Sequence, residues 1–357
     1  MHCFSPRLRS ALLYGLLSFP FTALPDEAHW EFLLFPEATA YYHSPAVKGY
    51  GEKPRGLLPA ADLFVTSISG PVRFLAEVLL SDQERELERF QLGYQLGAAR
   101  TLWLGRFHSP IGYWNSTYHH GSHLQATILR PALIDYEDKG GVIPSHLSGL
   151  LWDQRITHAA GELRWMAAAG AAPELGDHTL QPYNLLDRGA GRHRDSAIFR
   201  VSYKPDDLAR EEYGLSYAYT DIATTPGHPL AGVRQNLVSV YFDRDALGMR
   251  WLFEGYLMYH DTGISGSRVR STTRSAYLQI EHQISDDNSV YARGEATDGA
   301  EHDAYLQTFP MFIQGRGLFG LRHELSTKQA IKLELCRSRS FDVRYNSVML
   351  QWSAAYP

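Results

Sequence analysis

The densest group of side chains able to do chemistry lies between Leu104 and Gly149. His119, His120 and His123 fall close together, His108 and His146 flank them, and Asp135, Glu137 and Asp138 add carboxylates. Imidazole and carboxylate are zinc ligands. The spacing H-H-x-x-H, however, is not the H-E-x-x-H of a helical zinc protease, so no metal is assigned. The same groups also hydrogen-bond to one another and titrate near neutral pH. Ser109 beside His108 and Ser122 beside His123 pair a hydroxyl with an imidazole, but neighbours on a strand point to opposite sides. The residues therefore predict no catalytic group, no cofactor and no enzyme. Arg106, Arg130 and Arg155 are placed to pin the segment by pairing with Glu137, Asp138 or Asp153, since a guanidinium fork fixes carboxylate geometry.

Residues 109–146 have the character of a long loop. Loops of that length are functional or disordered, and this one carries Tyr113, Trp114, Tyr118, Ile128, Leu129, Leu133 and Ile134. That is too much apolar surface for a solvated tether. The segment is expected to fold onto something, and the interior of a barrel is the expected place. A loop turned inward would narrow a pore and set its selectivity; an ordered cap outside the barrel is the alternative. The candidate pore-lining positions are Arg106, His108, Tyr113, His119, His120, His123, Arg130, Glu137, Asp138 and His146.

The elements that must position this loop are strands. Apolar residues recur with a period of two. Val72, Phe74, Ala76, Val78 and Leu80 alternate with Arg73 and Glu77; Phe253 and Leu257 with Arg250 and Glu254; Leu278 and Ile280 with Glu281; Ile331, Leu333 and Leu335 with Lys332 and Glu334. Each run reads as a strand with one apolar and one polar face. Polar faces bearing Arg or Lys near Glu on strand after strand suit a wet lumen. The predicted lumen-facing set is Arg73, Glu77, Arg89, Arg200, Lys204, Arg250, Glu254, Glu281, Arg293, Glu295, Arg322, Glu324, Lys332 and Glu334.

The connections alternate in length. Residues 68–71, 97–99, 154–158, 205–211, 244–248, 285–288 and 326–328 are short; 44–57, 109–146, 171–196, 221–233, 261–273 and 298–315 are long; and 81–85 and 337–342 are modest members of the second series. Outer-membrane barrels have short periplasmic turns and longer extracellular loops. The predicted fold is all-β, an antiparallel transmembrane barrel of about 16 strands, within a range of 14–18, both termini on the periplasmic side. Expected strand centres are Ala40, Phe64, Ala76, Leu92, Trp103, Leu150, Trp165, Val201, Tyr217, Val240, Phe253, Gln279, Ala292, Gly320, Leu333 and Leu350. Pro36 interrupts the first. The alanine-rich stretch 161–170 reads as a membrane-facing strand.

The N-terminus reads as an address. Arg7 and Arg9 precede an apolar run from Ala11 to Phe21, which is too short to span a bilayer and is followed by Thr22-Ala23. This is the layout of a secretory signal peptide, residues 1–23, ahead of a single barrel domain, 24–357. Its loss takes the net charge from -5 to -7 and leaves Cys336 as the one cysteine. A net acidic chain argues against nucleic acid as a partner, and a lone cysteine rules out an intrachain disulfide. With a mean hydropathy of -0.28 and no long apolar stretch after residue 23, the chain can cross a membrane only as a closed barrel.

Gly105-Arg106-Phe107-His108-Ser109-Pro110-Ile111-Gly112-Tyr113 resembles the strand-then-proline opening of the large loop in porin-like barrels, including the phosphate-selective porin group. The longer run GYWN…HHG…LQ…RP…E-D-x-G-G…P-x-H resembles porin-like outer-membrane proteins of proteobacteria, as does the layout of hairpins along nearly the whole chain. The resemblance implies a channel or channel-like barrel for small solutes or ions. It does not imply phosphate selectivity, because there is no dense lysine cluster. The expected partners are outer-membrane lipid, the barrel assembly machinery and, for some such barrels, further copies of the same chain. A structural sheath around a periplasmic partner such as an electron carrier, and a secreted β-sandwich that binds glycans, are the alternatives. The proposed lumen set holds eight basic and six acidic residues. That balance predicts weak anion preference, growing as the histidines gain charge.

Overall fold

The computed structural model describes residues 28–45, 53–82, 85–118, 121–135, 142–183, 191–206, 210–264, 266–341 and 343–357. The proposed signal peptide lies outside them. Sixteen strands form the wall: β1 (His29–His43), β2 (Arg55–Ser69), β3 (Val72–Ser81), β4 (Arg85–Gln95), β5 (Arg100–His108), β6 (His146–His158), β7 (Gly161–Ala171) and β8 (Asp195–Lys204), followed by β9 (Glu212–Thr224), β10 (Leu230–Ala246), β11 (Met249–Ile264), β12 (Ser267–Ser285), β13 (Asn288–Asp298), β14 (Ile313–Ser326), β15 (Gln329–Ser340) and β16 (Arg344–Ala354). Every predicted strand centre falls inside one of them. Two further two-residue strands, Glu174–Leu175 and Leu180–Gln181, form a small hairpin between β7 and β8.

Each wall strand pairs antiparallel with its neighbours, and β1 pairs with both β2 and β16, so the sheet closes on itself. A single closed sheet excludes the two-sheet sandwich. Closure also leaves the wall no unpaired edge, the condition for crossing lipid with strands. The seam passes Pro36. Leu34 and Tyr356 exchange backbone bonds of 2.8 and 2.9 Å, and the β1–β16 register resumes at Glu37 opposite Ser353. Pro36 has no N–H to offer, and it stands in that gap while β1 runs on through it.

Alternation sorts the two faces. On β15, Lys332 and Glu334 are fully buried while Leu333 and Leu335 are 44% and 51% exposed. On β11, Leu252, Glu254, Tyr256 and Met258 are buried and Phe253 and Leu257 lie on the opposite face. Phe319, Leu350, Leu92 and Leu215 extend the exposed apolar surface around the wall. An outside this apolar, around an inside this charged, fits a bilayer and not water.

Two predicted loops are corrected. Most of 221–233 and nearly all of 261–273 are strand, and β11 and β12 are joined across residues 265–266. The hydropathy pattern fades there because both faces become polar. Arg268 donates to Asp261 at 2.7 Å across the β11–β12 ladder. Backbone pairing continues after the apolar stripe has ended, so polarity alone mistook strand for loop. The predicted turn 154–158 likewise belongs to β6, which turns at 159–160.

The core lies within the barrel. Apolar side chains from residues 107–147, from the 172–194 connection (Leu175, Leu180) and from the 299–312 connection (Tyr305, Leu306, Phe309, Phe312) form one buried cluster with inward residues of the wall, among them Leu237, Met258 and Tyr277.

Candidate functional site: the loop against the inner wall

The long connection leaves β5 at His108 and rejoins the wall at His146. Its first contact is made at Gly112, whose φ is +68° and whose Cβ, if it had one, would fall 1.8 Å from the Glu254 carboxylate. Only glycine turns here and lets the backbone approach that closely. The main chain then donates to Glu254 from Tyr113 N at 2.8 Å and from Trp114 N at 3.3 Å. Tyr277 and Ser239 of the wall donate to the same carboxylate at 2.9 and 3.2 Å. The Tyr113 hydroxyl donates to Asp243 at 2.6 Å. Arg250 spans Asp243 through two bonds of 2.8 and 2.7 Å and reaches the Tyr118 hydroxyl. Burial, the largest effect, pushes the Tyr113 and Tyr118 phenols above their ordinary range, so both remain neutral donors.

A second row of anchors comes from β13–β16. Arg322 donates to the carbonyls of His123 and Gln125 at 2.6 and 2.8 Å. Lys332 donates to the Ser122 carbonyl and to Gln351. Glu334 accepts from Ile128 N at 2.8 Å and Leu129 N at 3.2 Å. Arg293 donates to the carbonyls of Leu129 and Arg130 at 2.9 and 2.7 Å, Arg316 to that of Arg130 at 2.9 Å, and Glu295 accepts from Ala132 N. Bonds to charged groups are each worth about 1.5–3 kcal/mol. A backbone without regular structure is tolerated at this depth because wall charges satisfy its polar groups.

Residues 121–130 separate two cavities of the barrel. One, of ≈ 570 Å³, opens toward the long loops and is lined by Glu37, Asp62, Ser122, Gln125, Arg130 and Tyr345, among others. The other, also ≈ 570 Å³, opens toward the short turns beside Leu124, Ala126, Arg210, Arg250, Glu281 and Arg322.

A third group sits where β3–β6 meet the start of the loop. Arg106 pairs with Glu86 and also lies 3.9 Å from Glu88. His146 meets Glu88 at 2.9 Å, and His108 lies 3.7 Å from Glu77, which Arg89 also pairs. The His108 and His146 rings stand edge to face, centroids 5.0 Å apart. His123 is elsewhere, buried beside Arg322 and Lys332. Burial first and the Arg322 charge second lower its pKa from 6.5. His119, His120, Glu137 and Asp138 lie outside the described residues.

The described histidines of the group, His108, His146 and His123, are therefore divided between two places. The expected pairings also change. Arg106 takes Glu86 and Glu88, and Asp153 pairs with Arg164 through bonds of 2.8 and 2.7 Å, not with Arg155. Glu86 and Glu88 escaped the sequence reading because β4 shifts register against β3 at Glu77/Val78, which breaks the period of two. Other predicted lumen charges also have partners. Arg73 bonds Gln95, Arg200 meets Glu212 at 2.8 Å, Lys204 stands 3.8 Å from Glu212, and Arg322 takes Glu324. Also missed was the inward turn of 299–312. Asp303 accepts from His260 at 2.6 Å and Thr273 at 2.9 Å. Burial raises the Asp303 pKa, but the His260 bond and charge, together with bonds from Thr273 and Ser271, outweigh it and hold it below 3.8. Tyr305, Leu306, Phe309 and Phe312 were the available signal, since apolar residues that crowd a loop must be buried somewhere.

No family model matches the sequence, and no curated protein matches it. Solved structures do match the fold. An anion-selective porin from Comamonas acidovorans aligns with a TM-score of 0.62 and 12% identity, over 92% of this chain and 100% of its own. The outer membrane channel DcaP of Acinetobacter baumannii aligns at 0.60 and 9%, over 92% and 97%. Salmonella typhi OmpF aligns at 0.58 and 9%, over 92% and 97%. The chain has the fold of outer-membrane porins.

Proposed function

We propose that the chain is a passive channel of a bacterial outer membrane for small hydrophilic solutes or ions, with both termini in the periplasm, the long loops outside and residues 1–23 removed as a signal peptide. The observation that carries this reading is the pair of cavities on either side of residues 121–130 within one closed barrel. The fold similarity supports the class. The loop is then the constriction, and Lys332, Arg322, Glu334, Arg293 and Glu254 hold it in place. The lumen's cations, Arg73 apart, are matched by carboxylates or bonded to loop carbonyls. The channel should therefore discriminate weakly by charge, and its cut-off should be set by loop position and cavity size. This role involves no catalysis.

Conductance in planar bilayers tests the proposal. The purified chain should give discrete steps, and replacing 121–130 with a short glycine-serine linker should enlarge them. A barrel that is silent in both forms would favour the structural sheath instead.

A further inference from the structure

We propose that Arg337, Arg339 and Arg344 form a site on the outer surface of the wall for the phosphate groups of a lipid headgroup, in the leaflet at the long-loop end. The inference rests on the membrane orientation proposed above, and not on conduction.

Along β15 the outward face reads Ile331, Leu333, Leu335, then Arg337 and Arg339, all exposed. Arg344 of β16 stands opposite Arg339, and Asn346 opposite Arg337. Below them Val348 and Leu350 resume the apolar surface. The arginines thus begin one outward position past the last apolar residue, about 7 Å along a strand. That is the depth at which hydrocarbon gives way to headgroups.

The neighbouring strands leave room beside them. Gly317 and Gly315 of β14 lie opposite Arg337 and Arg339, with Gly294 and Ala296 of β13 one strand further. A Cβ added at Gly317 or Gly294 would meet nothing within 4 Å. The resulting hollow, of ≈ 380 Å³, is lined by Gly315, Gly317, Arg337, Ser338, Arg339 and Arg344, with Glu295 and Arg316 at its floor. The Glu295 carboxylate is bonded to Arg293 at 2.8 Å and to Ala132 N. No ion pair or hydrogen bond engages the side chains of Arg337, Arg339 or Arg344 among the described residues. The outward face of β13 next carries an acid at Asp298, two residues beyond Ala296 and opposite Arg274.

Two other arginines at this end are paired within the wall, Arg268 with Asp261 and Arg194 with Asp221. Three guanidiniums left unpaired around a hollow call for an anion, and their planar forks match phosphate oxygens. The hollow opens on the bilayer side, so the phosphate is carried by a lipid. Phe319, Leu335 and Val348 lie directly below for its acyl chains.

The test uses the full chain extracted in detergent and probed with bisphosphorylated lipid A, its dephosphorylated form and inorganic phosphate, with bound lipid read by native mass spectrometry. The combined R337Q/R339Q/R344Q variant should bind lipid A about 100-fold more weakly, given the usual contribution of basic residues near a charged membrane surface. Gly317→Leu keeps every charge, fills the hollow and should also weaken binding. Both variants should conduct as the unmodified chain does. Equal binding by the triple variant or by the dephosphorylated lipid would overturn the proposal, as would full displacement by inorganic phosphate. A chain that binds lipid A through these arginines yet never conducts would uphold this site while ending the channel reading.

Discussion

Glu254 on β11 accepts the backbone N–H of Tyr113 at 2.8 Å, although the two residues are 141 positions apart in sequence. One carboxylate thereby fixes where the loop first meets the wall, and it holds Trp114, Tyr277 and Ser239 as well. Glu254→Ala should strand these donors without a partner, at a cost of roughly 1–3 kcal/mol. The expected result is a lower unfolding midpoint and noisier single-channel currents. Currents as quiet as those of the unmodified chain would mean that the loop is positioned without this contact.

His123 gives a pH dependence whose sign can be stated. Its pKa in the folded barrel lies below the ordinary 6.5 because of burial and Arg322, with Lys332 acting in the same sense and Glu324 against it. The stability it contributes is present above about pH 6.5 and is lost as pH falls through the lower folded value. Acidification should therefore loosen residues 121–130, and protease cleavage there should increase. His123→Gln should flatten that response. The finding alters the sequence-based expectation that this imidazole would add anion preference near pH 6.5, because the folded site resists its protonation.

Asp303 ties the 299–312 connection to His260 on β11. Asp303→Asn should cost about 1.5–3 kcal/mol, the range for bonds to a charged group. Its folded pKa is below 3.8, so the contribution holds above that value and disappears as pH falls further. Denaturant midpoints measured at two pH values should differ more for the unmodified chain than for the variant.

Leu333 and Lys332 are adjacent on β15 but face opposite media. Leu333→Arg should destabilise the barrel in bilayers by ~2–4 kcal/mol, as read by refolding titration in urea. Tolerance of arginine there would place Leu333 away from the membrane's mid-depth.

Most of the wall was legible in the sequence. The period of two fixes which side chains share a face, because successive Cβ atoms point to opposite sides of a sheet. All sixteen centres fall in strands, and the partition of Leu333 from Lys332, or Phe253 from Glu254, needed no partner to be known. Legibility ended where polarity stopped reporting pairing, as at Asp261 and Arg268, and where a register shift broke the alternation, as beside Glu88. The tertiary structure alone decided what the lumen charges face. Sequence spacing could show Arg293, Arg322, Lys332 and Glu334 as inward, but it carried no information on the distant backbone they meet. Spacing likewise could not show that His123 and His146 part company. A loop's path depends on which far carbonyls and N–H groups find partners once the barrel has closed, and those pairings span about 140 to 210 residues.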